Sequence, residues 1–350
     1  MAGSGVTPGV LFGICNPLLD ISAEVPFSLL EKYGVTPKSA CLAEARHESL
    51  FAELVDNFPV EYIAGGAGQN AIRCAQWMLQ VPRATTYVGC VGQDKFAEQL
   101  KASAIADGVD VEYLTEPSFP TGTCAVLIHE KDRSLVANLG AANHYKKEHL
   151  ELPHIKAKID AARIFYATGF FLTVSPDALI SLGEHAEATN KAFTFNISAE
   201  FLIHAFMEPL QRVLPFADVI FANEVESAAY GKARGWGEDL HEVTVKIAAS
   251  DSHSHHHAGK KRQRMMITTR GSLPALVSIS GEPCLEFPAT PVPEEEIVDT
   301  NGAGDAFVGG FLAYYVLDAP LEKCMAAGHY AASQCIRQSG AKFLGKPTFE

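Results

Sequence analysis

The chain is short of the features that mark several large protein classes. It has no CxxC pair, and its eight cysteines (Cys15, Cys41, Cys74, Cys90, Cys124, Cys284, Cys324 and Cys335) are scattered. Several lie in apolar runs, a placement that suits reduced core thiols better than disulfides or zinc ligands. No stretch approaches the roughly 18 uninterrupted apolar residues of a membrane span. The first residues, MAGSGVTPG, carry neither a basic residue nor a long apolar run, so they do not read as a signal peptide. A reduced, cytoplasmic setting is the expectation.

Positive charge is also scarce. Lys and Arg number 28 against 41 Asp and Glu, a net charge of -13. The one basic cluster, Lys260-Lys261-Arg262-Gln263-Arg264, reads as a solvated loop and not as a nucleic-acid stripe. Neither a G-K-[ST] phosphate loop nor a G-x-G-x-x-G after an N-terminal strand is present. Before the cluster, Ala249 to Lys261 is polar and of low complexity, which predicts a surface loop. Its histidines, His253, His255, His256 and His257, match no defined metal-ligand spacing. No internal repeat is visible.

What is present is a chain of 350 residues, 47% hydrophobic and 20% charged, ample for one large core with a small appended lobe. Short apolar strands alternate with amphipathic helices. Strands are expected over Ala84–Gly92, Ala162–Gly169, Phe193–Ile197, Asp218–Ala222, Met265–Thr269 and Ala275–Ser280. Helices are expected over Lys95–Asp107, after Ser175-Pro176-Asp177, near Glu226–Tyr230, and over Asp305–Leu317 and Leu321–Gln338. That alternation predicts an α/β fold with a mostly parallel central sheet flanked by helices. Two regions break it, Asp20–Glu44 and Val109–Leu139, where strand-like runs such as GTCAVLIH and SLVANL lack long intervening helices. They predict a small separate β-sheet, a lid built from distant parts of the chain. The expected division is a large domain over 1–17, 48–108 and 140–350, and a discontinuous lid over 18–47 and 109–139.

The chemistry gathers in Asp299-Thr300-Asn301-Gly302-Ala303-Gly304-Asp305, followed by AFVGGFLAYYVL. Phe307, Phe311, Leu312 and Tyr315 recur at helical spacing, so a glycine-rich loop feeds directly into a helix N-terminus. Free N–H groups and the helix dipole favour an anion there. Phosphoryl transfer needs donors where negative charge gathers and a carboxylate to accept the hydroxyl proton. Asp305, in the first turn, suits the second role.

DTNGAGD resembles the signature of the ribokinase-type (pfkB) sugar and nucleoside kinases. Gly65-Gly66-Ala67-Gly68-Gln69-Asn70 is similar to the N-terminal signature, and Asn223-Glu224-Val225-Glu226 to the Asn-x-x-Glu element. Within that family the chain is most similar to the adenosine kinases, from about Phe12 to Pro347. The matching stretches are NPLLD (16–20), QWM (76–78), PTGTC (120–124), GFFLTVSP (169–176) and AGHYAA (327–332). Adenosine kinases often carry Ser where this chain has Ala67.

The resemblance implies a ribokinase-like domain whose β-strand lid closes over a nucleoside, with Mg-ATP donating its γ-phosphate to the 5′-hydroxyl of adenosine. It implies a monomer, while the charge balance and the lack of a long apolar run predict no nucleic-acid or membrane partner. Asp305 would be the general base, with Arg133 approaching the phosphate. Asn301, Gly302, Ala303 and Gly304 would form the anion hole. Asp20 would hold the ribose hydroxyls, helped by Asn16, Gly66 and Asn70. Phe171 would stack on adenine, with Leu42 and Leu139 lining the pocket. Asn196, Asn223, Thr269, Gly271 and His329 would lie along ATP, and Asn223 with Glu226 would organise Mg2+ through water. The residue types agree: a carboxylate accepts from two neighbouring hydroxyls, Arg forks onto phosphate, and oxygen ligands suit Mg2+. Duller readings stand beside these. Phe171 suits a core, Arg133 a solvated hairpin, Asn223 and Glu226 a helix cap, and His329 a satisfied helix histidine. A sugar kinase of the same fold, or a nucleoside-binding protein without catalysis, are the other functional readings.

Overall fold

The computed structural model describes residues 6–349 apart from 38, 131, 251–255, 258, 259 and 262. Most of the His-rich stretch therefore lies outside the described residues. In chain order the strands are β1 Leu11–Ile14, β2 Leu18–Glu24, β3 Ala40–Leu42, β4 Glu61–Gly65, β5 Thr85–Val91, β6 Asp110–Thr115, β7 Thr123–His129 and β8 Asp132–Asn138. They continue as β9 Ile164–Thr168, β10 Ala192–Asn196, β11 Val219–Asn223, β12 His256–His257, β13 Lys260–Lys261, β14 Met265–Arg270, β15 Leu273–Ile279 and β16 Leu285–Phe287.

Nine strands form the large sheet, in the order β16-β15-β14-β11-β10-β9-β1-β5-β6. From β14 to β6 every pairing is parallel, while β15 and β16 add antiparallel at one edge. The parallel strands are covered on both faces, which explains their near-continuous apolar runs: β5 and β9 are buried at every position. The chain order reverses about β1, whose neighbours are β9 and β5. In open α/β sheets ligands settle outside the carboxyl ends of the strands at such a reversal.

The small sheet has five strands, β3-β8-β7-β2-β4. Its side chains alternate. Ala23, Val25, Ala125, Leu127 and Val136 pack beneath the helices Phe27–Tyr33 and Leu50–Asn57, through Leu29, Leu30, Tyr33, Leu50 and Leu54. Leu18, Cys124, Leu135, Ala137 and Leu139 turn to the opposite face.

Membership of this sheet departs from expectation in two places. Asp110–Thr115, placed in the lid by its lack of helical periodicity, pairs parallel with β5 at the edge of the large sheet. The helix Lys95–Ala106 between them makes β5 and β6 an ordinary crossover unit. Conversely, Glu61–Gly65, expected in the large domain, pairs antiparallel with β2 in the small sheet.

The helix after the glycine-rich loop runs Ala303–Tyr315, and Leu321–Cys335 packs beside it. Gly302 caps the first at φ +77°, a left-handed conformation that a side chain would strain. The helix Pro176–Thr189 begins where Ser-Pro-Asp predicted, although the Ser175 side chain makes no cap bond. All eight cysteines are free thiols, six of them buried. Among the described residues no helix is long and apolar enough to cross a membrane.

Candidate active site

A cavity of about 350 Å³ lies between the two sheets. The carboxyl ends of the parallel strands supply its floor: Cys15 and Asn16 follow β1, Phe170 follows β9, Asn196 ends β10, Asn223 ends β11 and Thr269 lies near the end of β14. The small sheet supplies the roof through Leu18, Asp20, Leu42, Cys124, Ala137 and Leu139. Asn301, Gly302, Gly304 and Asp305 close one end.

Asp305 accepts a hydrogen bond at Oδ2 from Asn70 Nδ2, at 3.0 Å. Desolvation raises its pKa from 3.8 to about 7, opposed by that hydrogen bond. A carboxyl poised there can take up a proton near neutral pH. Two other cavity carboxyls behave alike. Burial first, then the Asp305 charge, raises Asp20 to about 7, and burial raises Glu226 to about 7. Asp20 finds its space because Gly65, which pairs with Leu18 and lies diagonal to Asp20 across β2 and β4, has no side chain; a Cβ there would run into the carboxylate.

Asn16 and Asn70 each keep a buried side-chain carbonyl oxygen with no protein partner. Both line the cavity, where such oxygens are acceptors for a ligand's hydroxyls. In the loop, the Asn301 N–H donates to Asp299 Oδ1 at 2.9 Å and the Ala303 N–H to Thr300 O at 3.3 Å. Of the four expected anion-hole residues, Gly302 and Gly304 therefore remain as first-turn donors, and a Cβ on Gly304 would meet nothing within 4 Å. Ala303 is not part of the cavity wall.

Asn223 and Glu226 form a reciprocal cap. Glu226 Oε2 accepts from the Asn223 N–H at 3.0 Å and Oε1 from Asn223 Nδ2 at 2.8 Å, while Asn223 Oδ1 accepts from the Glu226 N–H at 2.8 Å. Both line the cavity. A carboxylate already held at both oxygens by N–H donors suits the waters of a hydrated cation better than direct coordination.

Besides Ala303, four expected residues lie elsewhere. Phe171 does not reach the cavity: it is fully buried and packs edge-on against Tyr145, ring centroids 5.3 Å apart. Its neighbour Phe170 lines the wall instead and faces Phe201 at 6.2 Å, in a tilted pair. The reason is local. Gly169–Thr173 is a short 3-10 helix, in which successive side chains are turned by about 120°, so Phe170 and Phe171 face different surroundings. Gly271 sits in the β14–β15 turn and His329 packs on Phe307 at 5.0 Å; neither lines the cavity. Arg133 borders an adjoining cleft with Asp299, Thr300 and Asn301. Its Nε contacts Asp299 Oδ1 at 2.6 Å, with further bonds to Ser22 and Ser339. Phe201, Thr173 and Ser198 line the cavity without having been singled out in the sequence. Thr173 falls within the stretch GFFLTVSP, whereas Ser198 and Phe201 stand in no motif and only their place after the end of β10 marks them.

The family model described as pfkB family carbohydrate kinase matches residues 30–348. The chain belongs to that family. It is 44% identical to adenosine kinase 2 of Arabidopsis thaliana over 350 residues, covering the whole of both chains. It is 43% identical to the adenosine kinase of Dictyostelium discoideum, covering 93% of this chain and 94% of that one. Among solved structures it is similar to Anopheles gambiae adenosine kinase in complex with di(adenosine-5) tetraphosphate. That similarity has a TM-score of 0.93 and 44% identity, over 98% of this chain and 100% of the other. Schistosoma mansoni adenosine kinase in complex with 2-fluoroadenosine gives a TM-score of 0.92 at 34% identity, over 97% and 98%. The ribokinase-like fold is thus that of the relatives.

Proposed function

We propose that this pfkB kinase is an adenosine kinase, transferring the γ-phosphoryl group of ATP to the 5′-hydroxyl of adenosine. The observation that carries the reading is one cavity that holds Asp305 at a glycine-rich helix start, Asp20 on the opposing sheet, and the Phe170–Phe201 wall. Asp20 receives the ribose 2′- and 3′-hydroxyls, with Asn16 and Asn70 as further acceptors. The base lies against Phe170 and Phe201, with Leu42 and Leu139 opposite.

Asp305 takes the 5′-hydroxyl proton as the new O–P bond forms and the bond to the β-phosphate oxygen breaks. AMP and ADP result, with the proton left on Asp305. The N–H groups of Gly302 and Gly304 face the charge that develops on the moving phosphoryl group. Asn196, Asn223 and Thr269 border the ATP side. Glu226 and Asn223 fit Mg2+ held through its waters, an ion that when bound neutralises phosphate charge. Arg133 serves the same phosphate end from the adjoining cleft.

The five-stranded sheet acts as the lid, excluding water that competes for the phosphoryl group. Its outer face is already covered by the helices Phe27–Tyr33 and Leu50–Asn57, which favours a monomer. A cytoplasmic role in purine salvage is the setting that fits free thiols throughout.

ADP release with Mg-ATP tests the reading, against adenosine, 2′-deoxyadenosine, inosine, ribose and fructose. Adenosine is expected to be preferred, with the deoxy analogue poorer because Asp20 loses a partner. Preference for ribose or fructose would keep the family and overturn the substrate.

A further inference from the structure

Ser198 adopts φ +74°, in the left-handed region that residues other than glycine rarely occupy. Around it the Ala199 N–H donates to Ile197 O at 3.0 Å, a bond spanning only two residues. Together these make Ser198 the centre of a γ-turn of the positive-φ kind, which is rare and strained. Strain of that sort persists where the surroundings over-determine it, and it clusters at ligand sites.

The surroundings here are specific. Ser198 Oγ donates to Asn196 O at 2.9 Å and accepts from the Gly169 N–H at 3.2 Å. The Ser198 N–H donates to Asn196 Oδ1 at 3.0 Å, which fixes the orientation of that amide. Gly169 opens the tight turn that carries Phe170, and it lies so close to the Ile197 carbonyl that a Cβ would clash with it. Directly after the γ-turn begins the helix Glu200–Ala205, which carries Phe201. Ser198, Asn196, Phe170 and Phe201 all line the cavity.

We propose that Ser198 is a positioning residue for the nucleoside: its strained turn and hydroxyl lock the Phe170 turn, the Asn196 amide and the start of the Phe201 helix into one unit. The aromatic wall is thereby set from a single point at the ends of β9 and β10. The inference deepens the adenosine kinase reading and rests on it for the identity of the ligand.

Two variants separate positioning from mere folding. Ser198→Ala removes the hydroxyl and keeps a side chain in the strained conformation. Ser198→Gly removes the hydroxyl and relieves the strain, so its melting temperature should exceed that of Ser198→Ala. Both are expected to raise KM for adenosine about tenfold, the scale of one or two hydrogen bonds, with kcat changed less than about threefold. Hydrogen exchange over 169–173, followed by mass spectrometry without any substrate, is expected to accelerate in both. Ser198→Gly with parental KM, or parental exchange over 169–173 in both variants, would overturn the proposal. A parent enzyme that ignores adenosine would sink the functional reading alone, because exchange still reports on the interlocked turns.

Discussion

The guanidinium of Arg133 and the carboxylate of Asp299 meet at 2.6 Å with side chains only 9% and 1% exposed, so the ion pair is buried. It joins the β7–β8 hairpin of the small sheet to the first residue of the loop that ends in Asp305. Asp299 also accepts from the Asn301 and Gly340 N–H groups, at 2.9 and 2.8 Å. Removing one partner of such a pair leaves an uncompensated buried charge. Asp299→Ala is expected to cost ~3–5 kcal/mol in urea unfolding, and the double variant Arg133→Met, Asp299→Ala less than the sum of the two singles. Strictly additive costs would mean that the pair contributes no coupling.

Asp305 is expected to matter for turnover and little for binding. Asp305→Asn keeps the shape and the hydrogen-bonding capacity toward Asn70, but an amide cannot accept the hydroxyl proton. Turnover should fall by roughly 10²–10⁴ while adenosine affinity, read by calorimetry, stays within a few-fold. Near-parental turnover would remove Asp305 from the role of base.

The raised carboxyl pKa values fix the sign of two pH effects. Because Asp305 must be ionised to accept a proton, kcat/KM is expected to fall below about pH 7, approaching tenfold per unit. Stability moves the other way. Asp20, Asp305 and Glu226 have folded-state values of about 7, above their ordinary 3.8 to 4.5. The stabilisation they give as neutral acids is complete below about pH 4 and is lost as pH rises through 7. The melting temperature of the ligand-free protein should therefore decline between pH 5 and 8 more in the parent than in Asp305→Asn. Parallel curves for the two would refute the Asp305 share.

Phe170 and Phe171 are neighbours with opposite fates. Phe170→Ala is expected to raise KM for adenosine by tenfold or more and leave urea unfolding within ~1 kcal/mol. Phe171→Ala should cost ~3–5 kcal/mol of stability, since a fully buried ring leaves a cavity. Circular dichroism melts and steady-state kinetics on the pair would expose a reversed assignment at once.

The same pair shows where sequence reading stops. The loop DTNGAGD and the helix after it were legible because glycine, acid and helical periodicity each act locally, and the helix begins within two residues of Asp305. Asp20 and Asn70 were placed from motifs and do line the cavity. In GFFLT the two phenylalanines are chemically identical, and a five-residue turn has no period from which to read a face. For Arg133 the resemblance implies a place at the phosphate, but its partner Asp299 comes from far along the chain and only folding brings the two together. Asp110–Thr115 and Glu61–Gly65 exchanged sheets for a similar reason, since strand partners are chosen by crossover geometry and not by local pattern.

The small sheet imposes an order on folding. Within it only the β7–β8 hairpin is local; Leu19 pairs with Thr123 and Ala40 with Leu135, across long intervening chain. Pairings so distant must wait for the loop between them to collapse, and high contact order slows their formation. The units of consecutive strands in the large sheet, β5–β6 and β9 to β14, are expected to assemble first, and β1, which itself pairs with β9 across a long intervening chain, then brings β2 to β7. A refolding chain should therefore regain most of its far-ultraviolet dichroism before it regains affinity for a nucleoside, the roof over the cavity being the last part built.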